Sequence, residues 1–191
     1  MAPGQLRDAV VNLHREKGRA YGNAWKKRGE VMSVVANLAR KVDRLATAAT
    51  TRDENVLDTA VDLLVYAIKY QTFLADLDPA VAAALFDPAV PAPYSDGTAG
   101  FEALWAALPP EAVEGGSDVP VAEAVARVEA AFARLEHHFD VATPRVPVVD
   151  RAASAAALAF AAAALVGAVC RADPDGLEAS STAGRNRDRR A

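Results

Sequence analysis

Glu54, Asp58 and Asp62 recur at every fourth position of the stretch DENVLDTAVDLLVYAIKY, residues 53–70. On a helix this spacing lines three carboxylates along one edge, and each like-charged pair weakens the helix by about 0.2–0.5 kcal/mol unless a cation lies between them. That cation is either a basic side chain or a metal ion. Upstream, Glu30, Asn37, Lys41 and Arg44 gather on one flank of a second helical stripe. Two chemistries follow. In one, Lys41 and Arg44 form ion pairs with Asp58 and Asp62, and Glu54 only closes a capping box with Thr51. In the other, Asp58 and Asp62, with Glu54 or Glu30, hold Mg²⁺. That ion takes one or two carboxylates and otherwise keeps water and substrate phosphates, which Lys41 and Arg44 would then contact.

The stretch RAYGNAWKKRG, residues 19–29, adds Tyr21 and Trp25 beside Lys26, Lys27 and Arg28. Flat rings among cations suit stacking on a base with phosphate contact. Anchoring a loop to the core is the other use of such rings. Other reactive groups offer less. There is no glycine-rich phosphate loop, nucleophile elbow or His-Glu-x-x-His, so no catalytic residue is assigned. His137 and His138 are sequence neighbours that point about 100° apart on a helix and do not chelate together. His14 stands alone and reads as packing. The single Cys170 excludes an intramolecular disulfide and a thiolate zinc site.

The elements that must position these groups are helical. The 191 residues are 52% apolar and 24% charged, rich in alanine and without strand-like alternation, which predicts an all-α helical bundle. The spacing predicts a helix over 5–18 stopped by Gly18, a second from Val31 to about Thr47, and a third from Thr51 to Leu77. In the third, Leu57, Val61, Leu64 and Ile68 fall within about 60° of one another and define the apolar stripe. A short connection makes the second and third helices an antiparallel hairpin, so that their charged flanks share a groove if the handedness allows.

Residues 86–100, FDPAVPAPYSDGTAG, read as a linker or long loop between an N-terminal helical domain, 1–85, and a C-terminal helical region, 101–172. That region holds a short helix near Phe101–Leu108, a patterned one over Val119–Phe139, and an alanine-rich one. Residues 173–191 carry no apolar pattern and are expected to be disordered.

Composition narrows the partners. A formal charge of −4 gives no basic surface for duplex nucleic acid. The N-terminus lacks a signal-peptide core, which points to the cytoplasm. Ala152–Cys170 is long enough to span a bilayer, yet it is mostly alanine, which inserts poorly, so it reads as a buried helix and no membrane partner is expected. Its surplus apolar surface suggests a homodimer.

Taken in order, YGNAW at 21–25, Gly29, RKVDRL at 40–45 and ENVLDTAVDLLVYAI at 54–68 resemble nucleotide modification associated domain 1, a small helical domain of phages and bacteria. The pattern falls on Tyr21, Gly22, Asn23, Lys41, Arg44, Glu54, Asp58, Thr59, Asp62 and Tyr66, within residues 10–76. Ala24 replaces the usual serine, Trp25 a frequent phenylalanine, and Leu64-Val65 the common alanine-asparagine. The resemblance implies a protein that handles a nucleotide or deoxynucleotide, with Tyr21, Asn23, Trp25 and Tyr66 on the base side. The acidic helical layout is also similar to the MazG-like nucleotide pyrophosphohydrolases, which would imply Mg²⁺-dependent cleavage of a nucleoside triphosphate, although their Glu-x-x-Glu and Glu-x-x-Asp pairs are missing here. The competing expectation is a non-catalytic interaction module in which the same residues form an ion-pair network.

Overall fold

The most continuously apolar stretch of the N-terminal half becomes the central rod. In the computed structural model, which describes residues 3–51, 56–114, 119–141 and 145–172, the chain is all-α, with eight helices and no strand among the described residues. The rod, α3 (Val56–Leu77), is buried on most sides through Ala60, Leu63, Leu64, Ala67, Ile68, Tyr70 and Leu74. This corrects the narrow stripe expected from Leu57, Val61, Leu64 and Ile68, since Leu57 and Val61 are only partly buried. The reason is coverage from several directions: α8 (Val148–Ala172) lies along one side, α2 (Ala36–Thr51) along another, and α1 (Pro3–Tyr21) also touches it.

α8 owes its position to small side chains. Ala155, Ala159, Ala162 and Ala163 are buried with Leu158, Leu165 and Val166, and side chains this short let helix axes approach closely. It is long and apolar enough to cross a membrane by length and composition, yet half of its most apolar window is covered by the rest of the protein. α3, α6 (Pro110–Glu114) and α7 (Val121–Glu136) all pack against it.

Gly167 marks a close approach of α8 to α6, because a Cβ there would lie 2.4 Å from the Val113 carbonyl oxygen. Gly167→Ala is therefore expected to destabilise the fold by about 1–3 kcal/mol, the range for overpacking. Gly18→Ala should instead stabilise it by about 0.5–1 kcal/mol, because its helical site is open and alanine loses less entropy on folding. Urea midpoints for the two variants check the contrast.

Gly18 does not stop α1, which continues to Tyr21 before a 3-10 turn over Gly22–Lys26. A lone helical glycine costs about 1 kcal/mol. Leu6, Val10 and His14 offset it by burial, and Arg7 and Arg15 tie α1 to α5 (Ala99–Ala107). Arg7 donates to the Trp105 and Leu108 carbonyls at 3.0 and 2.7 Å, and Arg15 grips Glu102 through two bonds of 2.8 Å. A π-helical turn, Glu30–Val35, then enters α2, which buries Leu38, Val42 and Leu45 as its spacing predicts.

Asp78 does not end the helical region. Its carboxylate caps α4 (Pro79–Leu85) by accepting from the Ala80 amide at 2.8 Å, with Pro79 in the first turn. The loop that follows is held to α3 by Asp76, which accepts from the Tyr94 and Ser95 amides at 2.7 and 3.1 Å. α3, which precedes this loop in the chain, and α8, which follows it, pack together. The proposed Thr51–Glu54 capping box and the tail beyond residue 172 lie outside the described residues.

Candidate functional site

α2 and α3 run antiparallel: Lys41 meets Asp62 near one end, while Glu30, just ahead of α2, meets Tyr70 further along. The charged flanks meet at Lys41 and Asp62, and α1 joins them there. Lys17 of α1 forms an ion pair with one oxygen of Asp62, and Lys41 of α2 lies 3.6 Å from the other. Asp62 thus sits between two ammonium groups, with Lys41 only 5% exposed. Burial lowers the Lys41 pKa more strongly than neighbouring Asp62 raises it.

One helical face of α3 carries the rest. Asp58, Asp62, Tyr66, Lys69 and Phe73 fall within about 80° of each other at 100° per residue. The Lys41 ammonium lies 4.4 Å from the Tyr66 ring centre. That of Lys69 lies 4.4 Å from the Trp25 ring centre and 5.9 Å from that of Tyr66. Cation–π contact of this kind holds a charge without neutralising it. Burial, then Lys26 and Lys17, push the Lys69 pKa down to about 8, and no carboxylate among the described residues pairs with its ammonium. Burial, and next Asp62, raise the Tyr66 phenol.

His14 closes the far side. It is buried and stacks on Phe101 with ring centres 3.9 Å apart, and its Nε2 has no hydrogen-bond partner. Burial, followed by the charge of Lys69, lowers its pKa to about 4, so the ring is neutral at pH 7.

The remaining expected residues divide. Tyr66 faces the cluster. Trp25 borders it but is only 6% exposed, with Phe73 against its edge and Lys69 over its face, so it anchors the turn and cannot stack on a base in this arrangement. Tyr21 is 70% exposed. Asn23 donates to Asp96 at 2.8 Å, and Lys26 pairs with the same carboxylate, which fastens the turn to the 86–98 loop. Arg44 and Asp58 are exposed.

Glu30 does not join Asp62. It accepts from the Tyr70 hydroxyl at 2.5 Å and forms a buried ion pair with Arg151 of α8 at 3.3 Å. Tyr70 lies eight residues beyond Asp62, about 12 Å along the helix. Burial and this hydrogen bond hold the Tyr70 phenol far above its usual pKa. Glu54 lies outside the described residues. Among the described residues no three His, Cys, Asp or Glu side chains come together as a metal site. His137 and His138 point to different partners, Asp140 and Ser154.

Lys17 and Lys69 are the residues that the sequence reading passed over. Both had a signal: Lys69 stands seven residues after Asp62 and three after Tyr66, on the same helical face, and Lys17 follows buried His14 by three. Another signal is usage. The chain has five lysines, at 17, 26, 27, 41 and 69, and all its later cations are arginine. Four of the five gather here. No family model matches the chain, and neither does any curated protein or solved structure.

Proposed function

We propose that the chain binds a small phosphate-bearing ligand of the nucleotide class at Lys17, Lys41 and Lys69, with Tyr66 and exposed Tyr21 as the aromatic contacts, in the cytoplasm. The observation that carries this reading is Lys69: a half-buried ammonium, beside two other lysines, that no described carboxylate neutralises. Clustering cations in partly desolvated surroundings is unfavourable unless an anion enters, and ammonium groups are well suited to phosphate as point charges.

Asp62 then serves as the internal anion of the empty site, holding Lys17 and Lys41 until phosphate oxygens replace it. The carboxylates suit Mg²⁺ less well. Glu30 is engaged elsewhere, and an ion at Asp62 would have to displace two ammonium groups. The reading therefore contains no metal step and favours binding over hydrolysis.

Asp62→Asn separates the possibilities by sign. Calorimetric titration with pyrophosphate and with deoxynucleoside triphosphates should show binding without Mg²⁺, weakened by added salt, and tightened severalfold in Asp62→Asn because the competing carboxylate charge is gone. Weaker binding in that variant, with Mg²⁺ required, would point to a metal ligand. Absence of binding under all conditions would overturn the reading in favour of an ion-pair network in an interaction module.

A further inference from the structure

Arginine supplies every cation of the chain after residue 69, and sixteen arginines against five lysines show that guanidinium is its usual positive group. Concentrating four lysines at one site is therefore informative about chemistry. A guanidinium cannot lose its proton or act as a nucleophile under ordinary conditions, whereas an amine can do both. Among the four, Lys17 and Lys41 share Asp62 and Lys26 pairs with Asp96, so their nitrogens are engaged by carboxylates. Only Lys69 carries no ion pair among the described residues, and its nitrogen sits between the Trp25 and Tyr66 rings.

Desolvation by aromatic walls and adjacent positive charge are the two ways a protein activates a lysine amine. Both are present here. The charged and titratable groups around Lys69 are Lys17 and neutral His14 from α1, Lys26 from the 3-10 turn, and Tyr66 on its own helix.

We infer that Lys69 is a covalent capture site for an anionic aldehyde or ketone, forming an imine with the carbonyl carbon while Lys17 and Lys41 hold the anionic group. This rests on the anion-binding reading above for the orientation of the ligand. In the step, the neutral amine nitrogen attacks the carbonyl carbon to give a carbinolamine. The carbonyl oxygen then takes up two protons, both supplied in net terms by the amine, and leaves as water, with a carbon–nitrogen double bond in its place. No oxidant or reductant is consumed. With a pKa of about 8, the reactive neutral form at pH 7 is roughly a hundred or more times as abundant as for an ordinary lysine.

The test uses pyridoxal 5′-phosphate, an aldehyde with a phosphate, at one equivalent to the full chain at pH 7. Cyanoborohydride reduction and peptide mapping then count the adduct on each lysine. Exposed Lys27 is the internal reference. Lys69 is expected to carry at least tenfold more adduct than Lys27, and phosphate-free pyridoxal is expected to label it severalfold less. Adduct on Lys27 equal to that on Lys69, or no adduct on Lys69 while pyrophosphate still binds, overturns the imine site and leaves anion binding standing. Selective labelling of Lys69 by both aldehydes equally keeps the nucleophilic amine and removes the anion-binding reading.

Discussion

Glu30→Ala is expected to destabilise the protein by about 3–5 kcal/mol, the cost of leaving a buried charge without its partner. The Glu30 and Arg151 side chains are 15% and 8% exposed, and the same carboxylate oxygen also accepts from buried Tyr70. Removing it leaves the guanidinium of α8 facing apolar surroundings and the phenol of α3 without an acceptor. The Arg151 Nε already lacks a well-formed hydrogen bond.

A loss of this size is a large part of the 5–15 kcal/mol that stabilises an ordinary domain. Urea denaturation should show a much lower midpoint at an unchanged slope. Glu30→Gln keeps an acceptor for Tyr70 and should fall in between. The double variant Glu30→Met with Arg151→Met should recover most of the loss, because replacing both members by apolar groups removes the unpaired charge. Additive effects, or a single-variant loss below about 1 kcal/mol, would show that the pair is not the knot tying the π-helical turn to α3 and α8.

The second large effect concerns binding. Lys41→Met combined with Lys69→Met should weaken pyrophosphate affinity more than a hundredfold, since hydrogen bonds to charged groups contribute about 1.5–3 kcal/mol each. Methionine keeps the apolar stem over Tyr66 and Trp25, so the fold should persist, and thermal denaturation checks this. A pH dependence follows with a defined sign. Lys69 is charged below about pH 8 and loses its charge above it, so affinity should fall as pH rises through that region, with the midpoint displaced upward by the bound anion. Lys69→Met alone should flatten this part of the profile. Unchanged affinity in the double variant would remove the lysine cluster as the binding site.

Several of these groups were legible in the linear chain. The 3.6-residue period marked the helices from Val34 to Leu45 and from Val121 to Leu135, and the hairpin geometry brought Lys41 to Asp62. The role of Glu30 was not legible. Its partners stand 40 and 121 positions away in the chain, and nothing local distinguishes a metal ligand from half of a buried ion pair. Trp25 is similar, because residues flanking it allow an exposed ring as readily as one wedged against Phe73.

The sequence by itself determined that this is a helical protein and which faces of α2 and α7 are apolar, because those properties depend on neighbours within one or two turns. It also determined where amine chemistry is available, since lysine occurs only in the first 69 residues. Tertiary structure alone decided that α1 would supply Lys17 to Asp62, that Lys69 would stand beside two rings without a carboxylate, and that Glu30 would turn toward Arg151. Those outcomes depend on how α1 and α8 seat against α3, which is governed by side-chain volumes and close backbone approaches such as that at Gly167, summed over distant parts of the chain.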